Sequence, residues 1–262
     1  MIASLPMYDI PEIRHATDAL WQGMARHFRL EGITQVPHQL VHDRHLSGLW
    51  SDGNLFMSQC CGYDVVRRYK DRFQVLATPW FDAPGCSGGD YASTIVVAER
   101  SPHRDVVDML DTVVVINGPE SHSGMNALFA LVAPHSRNGK FFSEVRISGS
   151  HAASLDALKN GDADVASVDC LTYELLGRYR PAAIEGTRPL GLTFAAPAPP
   201  YVTQASYSAE TVTRMKNALL ATFADPTIAD ARQTLLLDGI ELASSGTYAR
   251  IETEFEHELR AV

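Results

Sequence analysis

Short apolar runs of strand length alternate with stretches of helical periodicity along most of this chain. Residues 94–97 (Thr-Ile-Val-Val) and 112–116 (Thr-Val-Val-Val-Ile) are typical of buried strands. Over residues 13–28, apolar side chains recur every three or four positions, which predicts a helix with one buried face. Asp9 is expected to cap the start of this helix, and Gly32 is expected to end it. Strands separated by helices favour parallel sheets that are covered by helices.

Further predicted elements follow the same alternation. The other predicted strands cover residues 1–8, 54–58, 73–77, 145–148, 163–168 and 190–194. The other predicted helices cover a stretch through Val65 and Tyr69 and residues 106–110, 122–133, 152–160 and 170–177, and helices dominate from Ser208 to the end.

This order of elements predicts an α/β fold with two lobes, each a mostly parallel sheet flanked by helices, and a hinge between the lobes. Lobe I is predicted to combine residues 1–92 with residues 188–262. Lobe II is predicted to cover residues 93–187.

Composition and charge narrow the classes of function. Hydrophobic residues make up 45% of the 262 residues, which is typical of a globular protein. The 31 acidic and 22 basic side chains give a net charge of -9, so nucleic acid is not an expected partner. No apolar stretch has the length of a membrane span. The first residues lack a secretory signal, so two explanations are open: the leader is missing from this sequence, or the protein stays inside the cell.

A strand-to-helix junction at residues 116–124 (Ile-Asn-Gly-Pro-Glu-Ser-His-Ser-Gly) has the features of an anion site. The hydroxyls of Ser121 and Ser123 and the unpaired backbone N–H groups of the helix start all present donors to a ligand. The positive end of the helix dipole adds to the attraction of an anion. The alternative is that Ser121 only caps the helix.

Two later junctions carry further candidates. His151 follows Gly149 at a second helix start, where its imidazole can donate to an oxyanion and become cationic when the anion binds. The alternative is a surface or capping histidine. Asp169 ends an apolar strand, where it can accept a proton from the ligand or pair with a cationic part of it. Its alternative role is to cap the following helix.

Catalytic and metal-binding signals are missing from the sequence. No nucleophile elbow, paired-histidine zinc motif or nucleotide-binding loop occurs. The four cysteines (Cys60, Cys61, Cys86 and Cys170) have no spacing typical of a zinc site. Binding is therefore favoured over catalysis, with no cofactor and no metal.

Several of these segments resemble one known family. They are residues 3–8, 58–63, 85–93, 117–124, 149–155 and 164–170. In order and separation they are similar to the phosphate/phosphite/phosphonate substrate-binding proteins of ABC transporters, which have the type II periplasmic-binding fold. The Ser-x-Ser-Gly helix start and the Gly-x-His turn are the most specific matches.

The resemblance implies a binding protein that captures a small oxyanion between its lobes and delivers it to a membrane permease. By resemblance, Ser121, His122, Ser123 and His151 hold the oxyanion. Tyr91 and Gln59 line the rest of the pocket, and Asp169 contacts the far end of the ligand. Tyr8 is a further candidate, because its phenol can donate to a ligand; its alternative role is half-buried packing beside a strand.

The resemblance also implies a periplasmic location. If the protein is exported, it allows a disulfide between Cys61 and Cys86, although the adjacent Cys60 leaves the pairing ambiguous. Two alternatives are open: a cytosolic lyase-like enzyme on the same scaffold that acts on a small carboxylic acid, and a ligand sensor.

Overall fold

The computed structural model describes residues 1–244 and 246–252. The strands are β1 (Ile2–Ser4), β2 (Leu55–Gln59), β3 (Phe73–Phe81), β4 (Cys86–Ser87), β5 (Asp90–Tyr91), β6 (Ser93–Ala98), β7 (Val113–Ile116), β8 (Glu144–Ile147), β9 (Val165–Asp169), β10 (Thr187–Leu192), β11 (Ala196–Pro197), β12 (Tyr201–Gln204) and β13 (Leu237–Leu242). The α-helices are α1 (Arg14–Leu30), α2 (Leu46–Trp50), α3 (Gly62–Val66), α4 (Ala127–Val132), α5 (His151–Asn160), α6 (Cys170–Tyr179), α7 (Ala209–Ala224) and α8 (Ala229–Thr234). Residues 246–252 are also helical.

The chain forms two compact units and passes between them more than once. Unit 1 contains Met1–Asp82, Ser87–Gly89 and Pro197–Ala249. Unit 2 contains Ala83–Cys86, Asp90–Ala196 and, of the described residues, 250–252. The lobe boundary predicted near residue 187 falls earlier than this division, because β10 pairs with β6 and keeps the chain in unit 2 up to Ala196. Residues 253–262, which the prediction gave to lobe I, lie outside the described residues.

Unit 1 is built on a sheet with the strand order β1-β2-β12-β3-β13. Helix α1 buries the apolar face that its periodicity predicted, and Trp21, Met24 and Phe28 are fully buried. The ring of Phe28 lies 5.3 Å from that of Phe56 on β2, in an edge-to-face arrangement. Gly32 has a φ of +81°, a left-handed conformation that suits the residue after a helix end.

Unit 2 is built on a sheet with the strand order β10-β6-β9-β7-β8. Its core contains apolar side chains of β6, β7 and β9 together with the buried face of α4, including Ile95, Val114, Val165 and Leu128. The predicted helix over residues 122–133 begins as a π-helical turn, His122–Asn126, and continues as α4. Short π-helical segments occur mostly within helices and often at functional sites.

The sheets are mixed, so the prediction of mostly parallel sheets is wrong in this detail. Strand β1 is parallel to β2, and β7 is parallel to β8 and β9. By contrast, β12 is antiparallel to β2 and β3, and β6 is antiparallel to β9 and β10. A parallel neighbour needs a crossover connection, usually a helix. Strands β6 and β12 instead come shortly after the chain has crossed from one unit to the other. No crossover helix therefore fixes their direction.

Five strands were not predicted: the two-residue strands β4, β5 and β11, and the longer strands β12 and β13. Residues from Ser208 onward were expected to be helical, but Leu237–Leu242 forms β13 and pairs antiparallel with β3. A Cβ on Gly239 would lie 2.8 Å from Cε3 of Trp80, so this glycine makes room for the tryptophan ring. The strand was hidden because Asp238 and Gly239 interrupt its apolar pattern. No helix among the described residues is long and apolar enough to cross a membrane.

The first strand and the first helix begin and end differently from the prediction. Strand β1 ends at Ser4, and Pro6–Tyr8 forms a 3-10 turn, because proline has no N–H for a sheet ladder. Asp9 does not cap the helix. Its carboxylate accepts hydrogen bonds from Nε of Arg14 at 3.2 Å and Nδ1 of His42 at 2.6 Å.

His42 joins two acidic residues in unit 1 and yields a pH prediction. Its Nε2 lies 3.0 Å from Asp18 Oδ1, so both ring nitrogens face carboxylates. Only the imidazolium has a hydrogen on each nitrogen and can donate to both. Burial opposes protonation, but the hydrogen bonds to Asp9 and Asp18 outweigh it and raise the pKa of His42.

We expect His42→Asn to cost the most stability in mildly acidic solution. A group whose pKa is raised by folding stabilises fully below its unfolded pKa, about 6.5, and loses this contribution as the pH rises through the folded pKa. Urea unfolding at about pH 5.5 and about pH 8 should therefore give a larger loss at the lower pH. His15→Asn is the exposed control on α1, and the same pH profile in both variants would contradict the assignment.

Candidate functional site

Two helix starts meet at one edge of the unit 2 sheet. Strands β7 and β8 are parallel neighbours in register, with Ile116 opposite Ile147, so their carboxyl ends lie side by side. The turn after β7 leads into the π-helical turn, and the turn after β8 leads into α5. Ser123 Oγ and His151 Nε2, one from each helix start, are 3.2 Å apart. The convergence of these two junctions, which the prediction needed, is therefore present within unit 2.

Serine side chains cap both of these helix starts. Ser121 Oγ accepts a hydrogen bond from the Gly124 N–H at 3.0 Å, and Ser150 Oγ accepts one from the Ala153 N–H at 3.2 Å. The capping alternative for Ser121 is thus observed. Capping does not prevent Ser121 from binding a ligand, because a serine that accepts a hydrogen bond still has a hydroxyl hydrogen to donate.

Gly124 allows a third polar side chain to reach the same place. A Cβ at this position would overlap Oδ1 of Asn117 and lie 3.2 Å from Cε1 of His151. Oδ1 of Asn117 is buried and has no hydrogen-bond partner among the described residues. An unsatisfied buried acceptor is costly, so its presence here indicates a position where a ligand or water donates to it.

His122 is a buried, uncharged member of the cluster. Nδ2 of Asn126 lies 3.1 Å from Nδ1 of His122, so the amide donates to Nδ1 and the ring hydrogen is on Nε2. The ring centroid lies 6.2 Å from that of Tyr91. Burial lowers the pKa of His122 to about 3, because the imidazolium would lose its hydration. His122 is therefore neutral at physiological pH.

His151 is partly exposed as a residue, but its Nδ1 is buried and has no hydrogen-bond partner in the part of the chain that the structure describes. Burial lowers its pKa to about 4. The start of α5 opposes a positive charge as well, since the helix dipole is positive at this end. Before a ligand binds, His151 is therefore neutral at physiological pH, and its change to a cation on anion binding stays a prediction.

A hydroxyl of the neighbouring strand fixes the position of the π-helical turn. Ser167 Oγ, on β9, donates to the backbone carbonyl of Ser123 at 2.6 Å. Ser167 and Asn126 were both missed by the sequence reasoning. Each is a polar residue inside an apolar segment, and both are fully buried, which is the signal that could have identified them.

Asp169 and Tyr91 belong to the same unit and are almost fully buried. Oδ1 of Asp169 accepts a hydrogen bond from the Thr172 N–H at 3.0 Å. Asp169 therefore caps α6, which is the alternative role considered for it from the sequence. Its predicted contact with a ligand stays a prediction.

Gln59 and Tyr8 lie in unit 1, where they line a cavity together with Thr17, Phe81 and Tyr201. This cavity is small, about 20 Å³. Nε2 of Gln59 donates to the Pro199 carbonyl at 3.1 Å, and the ring of Tyr8 lies 5.2 Å from that of Phe81. Both side chains therefore have structural contacts within unit 1, and their roles toward a ligand stay predictions.

The structure does not show the pairing of Cys61 with Cys86 that the resemblance allows. All four cysteines are thiols in the structure. Within unit 2, Sγ of Cys86 lies 3.4 Å from Sγ of Cys170. The spacing along the sequence could not distinguish these partners, because Cys86 and Cys170 are brought together only by the sheet of unit 2.

Two α/β units, each built on a five-stranded mixed sheet, are typical of type II periplasmic binding proteins, and the predicted fold class is confirmed. The chain is similar to a binding protein component of an ABC phosphonate transporter from Pseudomonas aeruginosa, with a TM-score of 0.79, 14% identity and coverage of 100% of this chain and 87% of that one. It is also similar to PhnD1 from Prochlorococcus marinus in complex with methylphosphonate, with a TM-score of 0.75, 14% identity and coverage of 100% and 98%. A third similar structure is XAC2383 from Xanthomonas citri bound to chloride ion, with a TM-score of 0.74, 12% identity and coverage of 100% and 98%.

The family follows from the sequence itself. Residues 51–248 match the model of the phosphonate-binding family, described as ABC transporter, phosphonate, periplasmic substrate-binding protein, and the chain belongs to that family. It is a substrate-binding protein of an ABC transporter, which implies a small ligand and a membrane permease as partners. The family is one of binding proteins rather than enzymes, so the lyase-like alternative is not favoured. No curated protein matches the chain.

Gly124→Ala should destabilise the protein because its Cβ would displace Asn117 and press on His151. Overpacking of this kind costs about 1–3 kcal/mol of unfolding free energy. Gly118→Ala is the matched control, since a Cβ there meets nothing within 4 Å. The control should change stability by less than about 0.5 kcal/mol. Equal urea unfolding curves for the two variants would show that the close approach at Gly124 is not required.

Proposed function

We propose that the helix starts of unit 2 hold the oxyanion group of the transported substrate. The anion seat, as we name it, consists of Ser121, His122, Ser123 and His151. The observation that carries this proposal is the 3.2 Å distance between Ser123 Oγ and His151 Nε2, which puts donors of two helix starts within reach of one small group. Backbone N–H groups of both helix starts add further donors.

The anion seat works without fixed positive charge. Its side chains are hydroxyls and imidazoles, and burial lowers the pKa values of His122 and His151 to about 3 and about 4. Selectivity for an anion therefore comes from oriented dipoles, which replace the water around the ligand. This agrees with a protein whose net charge is -9 and which exerts no overall attraction on anions.

The ligand class we propose is a phosphonate, phosphate or phosphite. Support comes from the family description and from PhnD1, whose structure is a complex with methylphosphonate. Oδ1 of Asn117 favours a ligand that carries a hydrogen to donate, such as a singly protonated phosphonate, because an amide oxygen can only accept. We further propose that the protein acts in the periplasm, as the family description implies.

Ser123→Ala and His151→Ala should each weaken binding of the preferred oxyanion by about 10- to 100-fold, since a hydrogen bond to a charged group contributes about 1.5–3 kcal/mol. Isothermal titration calorimetry with phosphate, phosphite, methylphosphonate and 2-aminoethylphosphonate measures this loss and identifies the preferred ligand. Ser143→Ala and His135→Ala are the matched controls, at exposed positions of unit 2.

The controls should bind like the wild type. Full affinity in both Ser123→Ala and His151→Ala would remove the anion seat from the binding site. Failure of all four oxyanions to bind the wild type would reject the ligand class, while the family assignment would stand on the sequence match.

Anion affinity should not change with the charge of His151 between about pH 6 and pH 8. The pKa of about 4 keeps the ring neutral over this range in the free protein. We expect the bound oxyanion to be held by the same neutral donor. Calorimetry in buffers of different ionisation enthalpy measures proton exchange directly. After correction for ionisation of the ligand, we expect no proton uptake by the protein. Uptake of about one proton that disappears in His151→Ala would instead assign a cationic imidazole to the complex.

A further inference from the structure

Two thiols lie in contact in unit 2, apart from the anion seat. Sγ of Cys86 is 3.4 Å from Sγ of Cys170. Cys86 begins β4 and Cys170 is the first residue of α6. Backbone hydrogen bonds hold both segments to one residue between them: the Ala92 N–H donates to the Gly85 carbonyl at 2.8 Å, and the Cys170 N–H donates to the Ala92 carbonyl at 3.2 Å.

Gly85 makes the approach of the two thiols possible. It has a φ of +94°, and a Cβ there would lie 3.1 Å from Cβ and 3.2 Å from Sγ of Cys170. A larger residue would therefore be strained and would push Cys170 away from its partner. To reach the disulfide bond length of about 2.05 Å, the sulfurs must approach each other by about 1.4 Å.

We propose that Cys86 and Cys170 are a reversible dithiol–disulfide site. The reaction is exchange with an external disulfide, either a small molecule or a protein. A thiolate of the pair attacks the external disulfide, forms a mixed disulfide and releases one thiol. The second cysteine then attacks the protein sulfur of the mixed disulfide and releases the other thiol. Overall the pair loses two protons and two electrons, and the external disulfide gains them.

Accessibility sets the order of the two steps. Cys86 is partly exposed, whereas Cys170 is 2% exposed, so an external disulfide reaches Cys86 first. The contact with Cys86 and burial raise the pKa of Cys170, which makes its thiolate rare until the mixed disulfide has formed next to it. Cys60 is fully buried and burial raises its pKa as well, so it is expected to stay reduced.

The disulfide would connect distant parts of the chain. Its two cysteines are separated by 84 positions in the sequence, and a cross-link over such a loop restricts the unfolded chain strongly. It would also tie the segment Ala83–Cys86, where the chain leaves unit 2, to the start of α6. The inference rests on the thiol geometry and not on the identity of the transported ligand.

Incubation of the full-length protein with oxidised glutathione, followed by alkylation with N-ethylmaleimide in denaturant, tests the site directly. We expect two of the four thiols to be protected, and peptide mapping to find Cys86 joined to Cys170. Reduction before alkylation should expose all four. Alkylation of all four thiols after oxidation, or a cross-link that joins Cys86 to Cys61, would overturn the proposal. This measurement needs no variant and therefore does not depend on how variants fold.

Variants resolve the two steps of the exchange. Cys170→Ala should trap a glutathione mixed disulfide on Cys86, whereas Cys86→Ser should leave Cys170 unmodified. Cys61→Ala is the matched control and should form the same cross-link as the wild type. Oxidation should raise the melting temperature of the wild type and the control by roughly 5–10 °C and leave that of Cys86→Ser unchanged. No increase in the cross-linked wild type would overturn the stabilising role.

Discussion

The parallel pairing of β7 with β8 is the interaction on which the candidate site depends. Ile116 and Ile147 are register partners at the ends of these strands. The two chain segments therefore leave the sheet side by side, and each leads through a turn into a helix. The contact between Ser123 and His151 follows from that register. Gly124 then decides how closely the surrounding side chains approach, because any Cβ there would occupy the space of Asn117.

Burial determines how this cluster can treat an anion. A permanent cation at the same depth would have to lose its hydration without a carboxylate partner, which costs far more than burying a hydrogen-bonded neutral group. The histidines avoid that cost by staying neutral. Each neutral donor, however, attracts the anion less strongly than a cation would. Several donors acting together compensate for this. Such an arrangement suits a transport protein, since a ligand held by neutral dipoles can also be released.

The sequence was sufficient for the fold class and for the two helix starts that the structure brings together, because both depend on local patterns. Apolar runs predicted the core strands, and the small polar residues around 121 and 151 predicted the two helix starts. Contacts made by tertiary structure were not predictable in this way. Asn126 and Ser167 act through partners that the sheet brings near, and Cys86 meets Cys170 only because β9 lies beside β6. Strand β13 was missed because Gly239 interrupts its apolar pattern. The glycine is needed there to make room for the ring of Trp80 on β3.

Strand β9 adjoins both the anion seat and the thiol pair, so its rigidity decides whether a change at one of them affects the other. Ser167 anchors the π-helical turn, and Cys170 follows the last residue of the same strand. Strand β9 is the middle strand of the unit 2 sheet, all five of its residues are buried, and it pairs with β6 on one side and β7 on the other. A strand held on both sides resists displacement, so we expect α6 and the partly exposed segment around Cys86 to absorb a change at Cys170. We therefore expect a disulfide at the thiol pair to change the stability of unit 2 and to leave the geometry of the anion seat intact.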